Sequence, residues 1–177
     1  MIVEQGAVIK QTAAEIAGTL APYFKLCSEL WFHDKYFRLL TLSTAKPSEP
    51  AWQRYPPRSA KKFGAKSIVA KTRAPHQREF PKDIVGKLIP EGITIEWFHW
   101  AEKQGGVPFH DRYLLTEAGG VSLGDGFSAE GPSKTVNVQL IAKRIYEITR
   151  ERIVPEASVY ELKDKFRILS DGSIEEF

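Results

Sequence analysis

The sequence predicts a three-layer α/β fold in which helices flank a mixed β-sheet. Two observations support this. Some segments carry apolar residues at helical spacing, and between them lie short apolar or aromatic segments that are typical of buried strands. With 177 residues, the chain is long enough to bury a core, and we expect one domain over residues 1–177 that ends in a hairpin.

The predicted elements of the first half alternate between helix and strand. An amphipathic helix is expected at about 10–26, because Ile16, Leu20 and Phe24 recur at helical spacing. The aromatic segment "ELWFHDKYF" predicts a buried strand. The next three predictions are a proline-rich loop at 43–65, a strand at 66–73 and a helix at 76–90.

The second half predicts three more strands, one helix and a final hairpin. "GITIEWFHW" indicates a strand, and "HDRYLLTE" and "GVSLGDG" indicate a hairpin that turns at 118–120. A second long helix is expected at 134–152, with Val138, Ile141 and Ile145 on one face. The final segment predicts a hairpin that turns at Asp171 and Gly172.

The net charge of +3 hides a strongly basic stretch. Residues 54–78 hold eight Lys and Arg and no acid, so the other residues sum to 3 − 8 = −5. With aromatic residues interleaved, such a stretch can hold a polyanion; the alternative is a solvated loop and helix face. The candidates for phosphate contacts there are Lys61, Lys62 and Lys66.

Composition limits the cellular setting and the cofactors. Cys27 is the single cysteine, so no disulfide is expected, and a reducing cytoplasm is the natural location. The apolar runs are too short to span a membrane, and "MIVEQGAVIK" lacks the residue order of a signal peptide. One cysteine and four scattered histidines give no zinc pattern, and we expect no metal and no cofactor.

The candidate site is centred on His110. Arg112 follows it by two residues, Glu117 by seven and Gly124 by fourteen. On a strand, His110 and Arg112 would point the same way. A neutral imidazole can attack phosphorus, and a neighbouring cation stabilises the charge that develops on the phosphoryl oxygens. The alternative is a hydrogen-bonded structural histidine that orders two strands.

This spacing resembles the His-x-Lys-(x)4-Asp motif of the phospholipase D superfamily, which a Gly-Ser pair follows. The resemblance implies a phospholipase D-like fold in which His110 is the nucleophile, Arg112 holds the phosphate and Glu117 supports the histidine of a partner motif. Arg112, Glu117 and Asp125 stand where the family has Lys, Asp and Ser. These changes favour a site that binds phosphate without cleaving it, or cleaves it slowly.

Over about residues 10–150, the chain is similar to the phospholipase D-like C-terminal domain of MIT-domain proteins and their bacterial relatives. The matching residues are Asp34, Tyr36 and Arg38, then His110-Asp111-Arg112, then Gly124-Asp125-Gly126. The resemblance implies a homodimer in which two His110 side chains face each other. It also implies binding to anionic phospholipid, as in the eukaryotic relatives, or nuclease activity, as in some bacterial ones.

The stretch "WFHDKYFRLL" resembles "PFHDRYLLTE", but it lacks the acid of the motif. Leu40 lies seven residues after His33, so we do not expect a second catalytic motif. Asp34 and Arg38 are instead expected at the carboxyl end of a strand, where ligands of α/β sheets bind. The alternative is that Asp34 and Arg38 form an ion pair that orders the end of this strand.

The sequence therefore predicts a phosphodiester-recognising domain that binds nucleic acid. We expect His110 and Arg112 at the centre, Asp34, Arg38 and Glu117 in support, and residues 54–78 along the phosphate backbone. Three alternatives remain. The chain could be an active metal-independent nuclease or phosphodiesterase, a module that binds anionic phospholipid membranes, or an interaction subunit of a larger assembly in bacterial defence.

Overall fold

The computed structural model describes residues 6–34, 67–72, 89, 91–127, 129–154 and 158–177. These residues form one nine-stranded mixed sheet with two helices. The elements are β1 (Gly6–Gln11), α1 (Ala13–Leu26), β2 (Glu29–His33), β3 (Ser67–Thr72), β4 (Thr94–Ala101), β5 (Tyr113–Thr116), β6 (Gly119–Leu123), β7 (Gly131–Leu140), α2 (Lys143–Ile153), β8 (Glu161–Ile168) and β9 (Ile174–Glu175). The predicted mixed α/β class is confirmed.

The sheet has the strand order β1-β7-β6-β5-β2-β3-β4-β8-β9. Strands β2, β3 and β4 run parallel, and every other neighbouring pair is antiparallel. The carboxyl ends of β2 to β4 therefore lie at the same edge of the sheet as the amino end of β5. This is the edge that carries the candidate site.

Helix α1 covers one face of the sheet. Thr12 caps it, since its Oγ1 accepts a hydrogen bond from the backbone N–H of Glu15 at 3.3 Å. The predicted stripe of Ile16, Leu20 and Phe24 is confirmed as buried, in a core with alternate residues of β2, β5, β6 and β7. The residues just before the helix form β1, which the sequence analysis did not predict.

Helix α2 lies against the opposite face. The Arg150 guanidinium sits 4.4 Å from the ring centre of Trp31, whose neighbours on β2 pack toward α1. The Tyr146 hydroxyl donates to the carbonyl of Thr116 at 2.7 Å, and Arg150 Nη1 donates to the Tyr146 hydroxyl at 3.0 Å. These contacts fix α2 across β5 and β2.

The long helix expected at 134–152 is wrong over its first half. Residues up to Leu140 form β7, in which Val136 and Val138 are buried and the residues between them are exposed. This period of two fits a strand between β1 and β6, and pairing on both sides overrides the helical spacing. Val138 is buried as part of β7, whereas Ile145 is 43% exposed, so Val138, Ile141 and Ile145 do not form one buried helical stripe.

The remaining strand predictions agree with the structure where it describes them. The strands expected near 29, 66–73 and 92–100 are β2, β3 and β4. Both predicted hairpins are present as β5–β6 and β8–β9, and Gly172 has the positive φ of 82° that its turn requires. The loop at 43–65 and most of the helix expected at 76–90 lie outside the described residues.

Candidate functional site at the amino end of strand β5

A buried phenylalanine fixes the loop that carries His110. Phe109 is fully buried, and its ring stacks on His33 at 4.2 Å and contacts Tyr160 at 4.9 Å. Its backbone N–H donates to Glu102 Oε1 at 3.0 Å. His110 follows directly and is exposed, because the chain turns outward after this anchor. His110 and Arg112 precede β5, whereas the sequence predicted that they lie within the strand.

Arg112 is held from two sides. Its Nη1 donates to the carbonyl of Gly124 at 2.7 Å, and its Nε lies 3.8 Å from Asp34 Oδ1. Asp34 is 5% exposed and also accepts a hydrogen bond from the backbone N–H of Phe127 at 3.4 Å. The side chain of Arg112 keeps 21% exposure, so it is partly open to solvent. Ion pairing to a buried carboxylate makes Arg112 a fixed cation rather than a mobile one.

Gly126 makes this arrangement possible. Its φ is +85°, and a Cβ placed there would lie 2.7 Å from both Arg112 Cδ and Asp34 Oδ2. Two independent reasons therefore require glycine at this position: the positive φ, and the lack of space for a Cβ. The turn from Gly124 to Phe127 thereby closes against the Asp34–Arg112 pair.

His110, Arg112 and Gly124 open onto one pocket of about 350 Å³. The pocket lies beside the edge where β2, β3 and β4 end, the position at which open α/β sheets bind ligands. Its walls come from the loop before β5, from β6 and from the start of α2. They comprise His110, Asp111, Arg112, Tyr113, Ser122, Leu123, Gly124, Ile141 and Ile145.

Tyr113 and Asp111 add a second polar pair to the pocket. Burial raises the pKa of Tyr113 to about 12, and the charge of Asp111 and hydrogen bonding to it act in the same direction. Arg152 and Thr149 of α2 act in the opposite direction, which places the Tyr113 hydroxyl next to this helix.

Glu117 lies at the other end of β5, away from the pocket. Its Oε1 accepts hydrogen bonds from the backbone N–H groups of Ser28 at 2.8 Å and Glu29 at 3.1 Å, and from the Ser28 hydroxyl. Burial raises the pKa of Glu117, but these hydrogen bonds outweigh it and leave the pKa below the ordinary 4.5. In this chain, Glu117 joins the start of β2 to the end of β5.

Replacing Glu117 by Gln is expected to remove a pH-dependent part of the stability. A lowered folded-state pKa stabilises the protein above the unfolded pKa, and this stabilisation is lost as the pH falls through the folded pKa. Because Glu117 is exposed, we expect only about 1 kcal/mol. Urea unfolding of both proteins should show this difference at neutral pH and no difference near about pH 3. Glu91→Gln, an exposed carboxylate before β4, is the control; a constant difference at all pH values would contradict the assignment.

The other predicted residues are distributed as follows. Asp125 is exposed in the turn between β6 and β7. His99 is half-buried on β4, and His33 is 4% exposed on β2. Because β2 pairs with β5, with His33 opposite Tyr113, the described start of the first stretch lies beside the second stretch. Arg38, Lys61, Lys62 and Lys66 lie outside the described residues.

Sequence reasoning missed two residues of the site, Phe109 and Tyr113. Both stand within the motif segment "PFHDRYLLTE", and their aromatic character was the available signal. Their burial depends on Tyr160 and on α2, which follow far later in the chain. Local spacing could not supply these partners.

Among the helices that the structure describes, none is both long and apolar enough to cross a membrane. Within the described ranges, no group of three or more His, Cys, Asp or Glu side chains could hold a metal ion. No protein-family model, no curated protein and no solved structure matches this chain.

Proposed function

We propose that the chain is a phospholipase D-like domain that recognises phosphodiesters, with nucleic acid as its ligand. One observation carries the proposal: His110, Arg112 and Gly124, which the motif spaces over fourteen residues, line a single pocket. An exposed imidazole next to a fixed guanidinium offers hydrogen-bond donors and positive charge to a phosphate. The helices on opposite faces of the mixed sheet are in keeping with the three-layer architecture of that superfamily.

The same geometry favours binding over cleavage. Arg112 is bound to Asp34 and to the Gly124 carbonyl, so its charge is already partly compensated. Asp111 lines the pocket as well, and its carboxylate opposes the build-up of negative charge that phosphoryl transfer brings. Turnover would also require a second histidine, which a homodimer would supply as His110 of another copy.

Nucleic acid is favoured over lipid by the basic stretch at 54–78. A run of Lys and Arg in the sequence with aromatic residues between them suits a phosphate backbone with exposed bases, whereas a lipid presents a single headgroup at a surface. Phosphate contacts release counterions, so the affinity for nucleic acid should fall steeply as the salt concentration rises.

The double variant Lys61→Ala/Lys62→Ala is expected to lower the slope of log affinity against log salt by about 2, since each phosphate contact contributes about 0.9. Affinity for a fluorescently labelled oligonucleotide is measured by anisotropy from about 50 to about 200 mM salt. His110→Ala should weaken binding about fivefold through the loss of one hydrogen bond. Lys163→Ala/Lys165→Ala removes the same charge from β8, away from the pocket, and should leave the slope unchanged.

Three results would point elsewhere. Cleavage of the oligonucleotide in EDTA that His110→Ala abolishes would identify an active nuclease. Binding to anionic liposomes with no binding to oligonucleotides would identify a membrane module. An absence of binding to either probe, with a stable protein partner on purification, would identify an assembly subunit and contradict the proposal.

A further inference from the structure

The face of the sheet that α2 leaves open begins at the pocket and extends to the β1 edge. Residues that alternate with the buried core positions of β1, β6 and β7 point to this side. We name it the open face, and its side chains are Val8, Lys10, Ser122, Thr135, Asn137 and Gln139. All are exposed except Ser122, which is half-buried and lines the pocket.

The strand registers arrange these side chains in two rows that lead away from the pocket. Tyr113 is opposite Ser122, Ser122 is opposite Gln139, and Gln139 is opposite Gly6. In the next row, Val8 is opposite Asn137, whose carbonyl accepts from the backbone N–H of Gly124 at 3.1 Å. Each row therefore connects a pocket residue to the outermost strand without a gap.

The chemistry of the open face is cationic and amide-rich. None of the three strands contains Asp or Glu, and Lys10 supplies a positive charge. Asn137 and Gln139 each offer a donor and an acceptor side by side, the arrangement that pairs with the edge of a nucleobase. Val8 is 70% exposed and offers apolar surface to a base face.

The shape of the open face selects an unpaired strand over a duplex. A row of four strands spans about 14 Å at the usual inter-strand spacing. That length holds about four nucleotides of a single strand whose bases stay stacked at the 3.4 Å spacing of a duplex strand, and fewer if the strand is extended. At the β1 end of the row no side chain protrudes from Gly6, and the Gln139 side chain lies against it: a Cβ on Gly6 would meet Gln139 Cγ at 3.0 Å. Bases in a duplex are read by elements that protrude into a groove, whereas a flat polar face can reach bases that are already unpaired.

We infer that the open face binds the bases of a single-stranded nucleic acid whose phosphate occupies the His110–Arg112 pocket. The inference rests on the proposed function and names its substrate class. On the open face, Lys10 contributes positive charge to the phosphate backbone, and Asn137 and Gln139 contribute uncharged contacts to the bases.

Two variants separate these contributions. Asn137→Ala/Gln139→Ala is expected to weaken binding of a single strand about tenfold through two lost hydrogen bonds, with an unchanged salt slope. Lys10→Ala should lower the slope by about 1. Gln104→Ala removes an exposed amide from the turn after β4 and should have no effect. Thermal unfolding of each variant checks that the sheet is intact.

The probes are labelled single strands of DNA and RNA of about 12 nucleotides, three times the length of a row, and the matching duplexes. Single strands of at least one sugar type should bind about tenfold more tightly than the duplex, and the Asn137/Gln139 variant should remove this preference. Equal binding of single strand and duplex, with a silent Asn137/Gln139 variant, would overturn the inference and leave the proposed function standing. If no probe binds at all, both fail.

Discussion

Replacing Phe109 by Ala is expected to cost about 3–5 kcal/mol of unfolding free energy, because a fully buried ring leaves a cavity that its neighbours cannot fill. The same change removes the stack on His33 and the contact with Tyr160, which fix the loop before β5. His110 and Asp111 then lose their defined position, so phosphate recognition should fall together with stability. Urea unfolding and oligonucleotide anisotropy measure the two effects.

The two effects of Phe109 can be separated by a matched position. Phe166 is 1% exposed, lies on β8 and stacks on Trp97, away from the pocket. Phe166→Ala should cost similar stability yet leave binding unchanged at a temperature where the protein is folded. Phe109→Leu keeps most of the volume and should fold at a cost of about 1 kcal/mol. Full binding by Phe109→Leu, equal to that of Phe166→Ala, would show that Phe109 is only a core residue.

Gly126→Ala is expected to cost about 3 kcal/mol and to abolish binding at the pocket. An alanine at a φ of +85° is strained by about 1–2 kcal/mol, and its Cβ would lie 2.7 Å from Arg112 Cδ and Asp34 Oδ2. Neither atom can retreat freely, because Asp34 is buried and Arg112 is bound to the Gly124 carbonyl. The Asp34–Arg112 pair must therefore open or the turn must move.

Gly92 provides the control for this experiment. It has a similar φ of +80°, but a Cβ there would meet no atom of the described residues within 4 Å. Gly92→Ala should therefore show only the backbone strain and bind normally. Thermal unfolding of both variants isolates the cost of the close approach as the difference between them. Equal destabilisation by the two variants, with normal binding by both, would show that Gly126 has no role in holding Arg112.

Elements defined by strong local patterns were predictable from the sequence. The α1 stripe, the aromatic strands β2 and β4, and the two hairpins all carry short-range signals, and the structure contains each of them. The segment around Val138 carried two signals, since Val136 and Val138 alternate while Val138, Ile141 and Ile145 fit a helix. The period of two was decided by pairing with β1, which lies far away in the sequence, and with β6, the strand just before β7.

Part of the candidate site could likewise be predicted from the sequence. The spacing of His110, Arg112 and Gly124 placed these residues in one site, and they line one pocket. The pairing of Arg112 with Asp34 could not be predicted, because these residues are far apart in the sequence and Arg38 is the nearer candidate partner of Asp34. Glu117 shows the opposite case: its position in the motif suggested a role near His110, but the turn after β5 carries it to the start of β2.

The hydrogen bond between Phe127 and Asp34 joins residues 93 positions apart, and that between Ser28 and Glu117 joins residues 89 positions apart. Both ends of the β2–β5 pair are thus closed by contacts of very long range, which form slowly because large loops must close first. The pocket can exist only after this step of folding. A ligand held between Arg112 and β6 would therefore bind only the completed sheet, and its binding free energy would add to the stability of the whole chain.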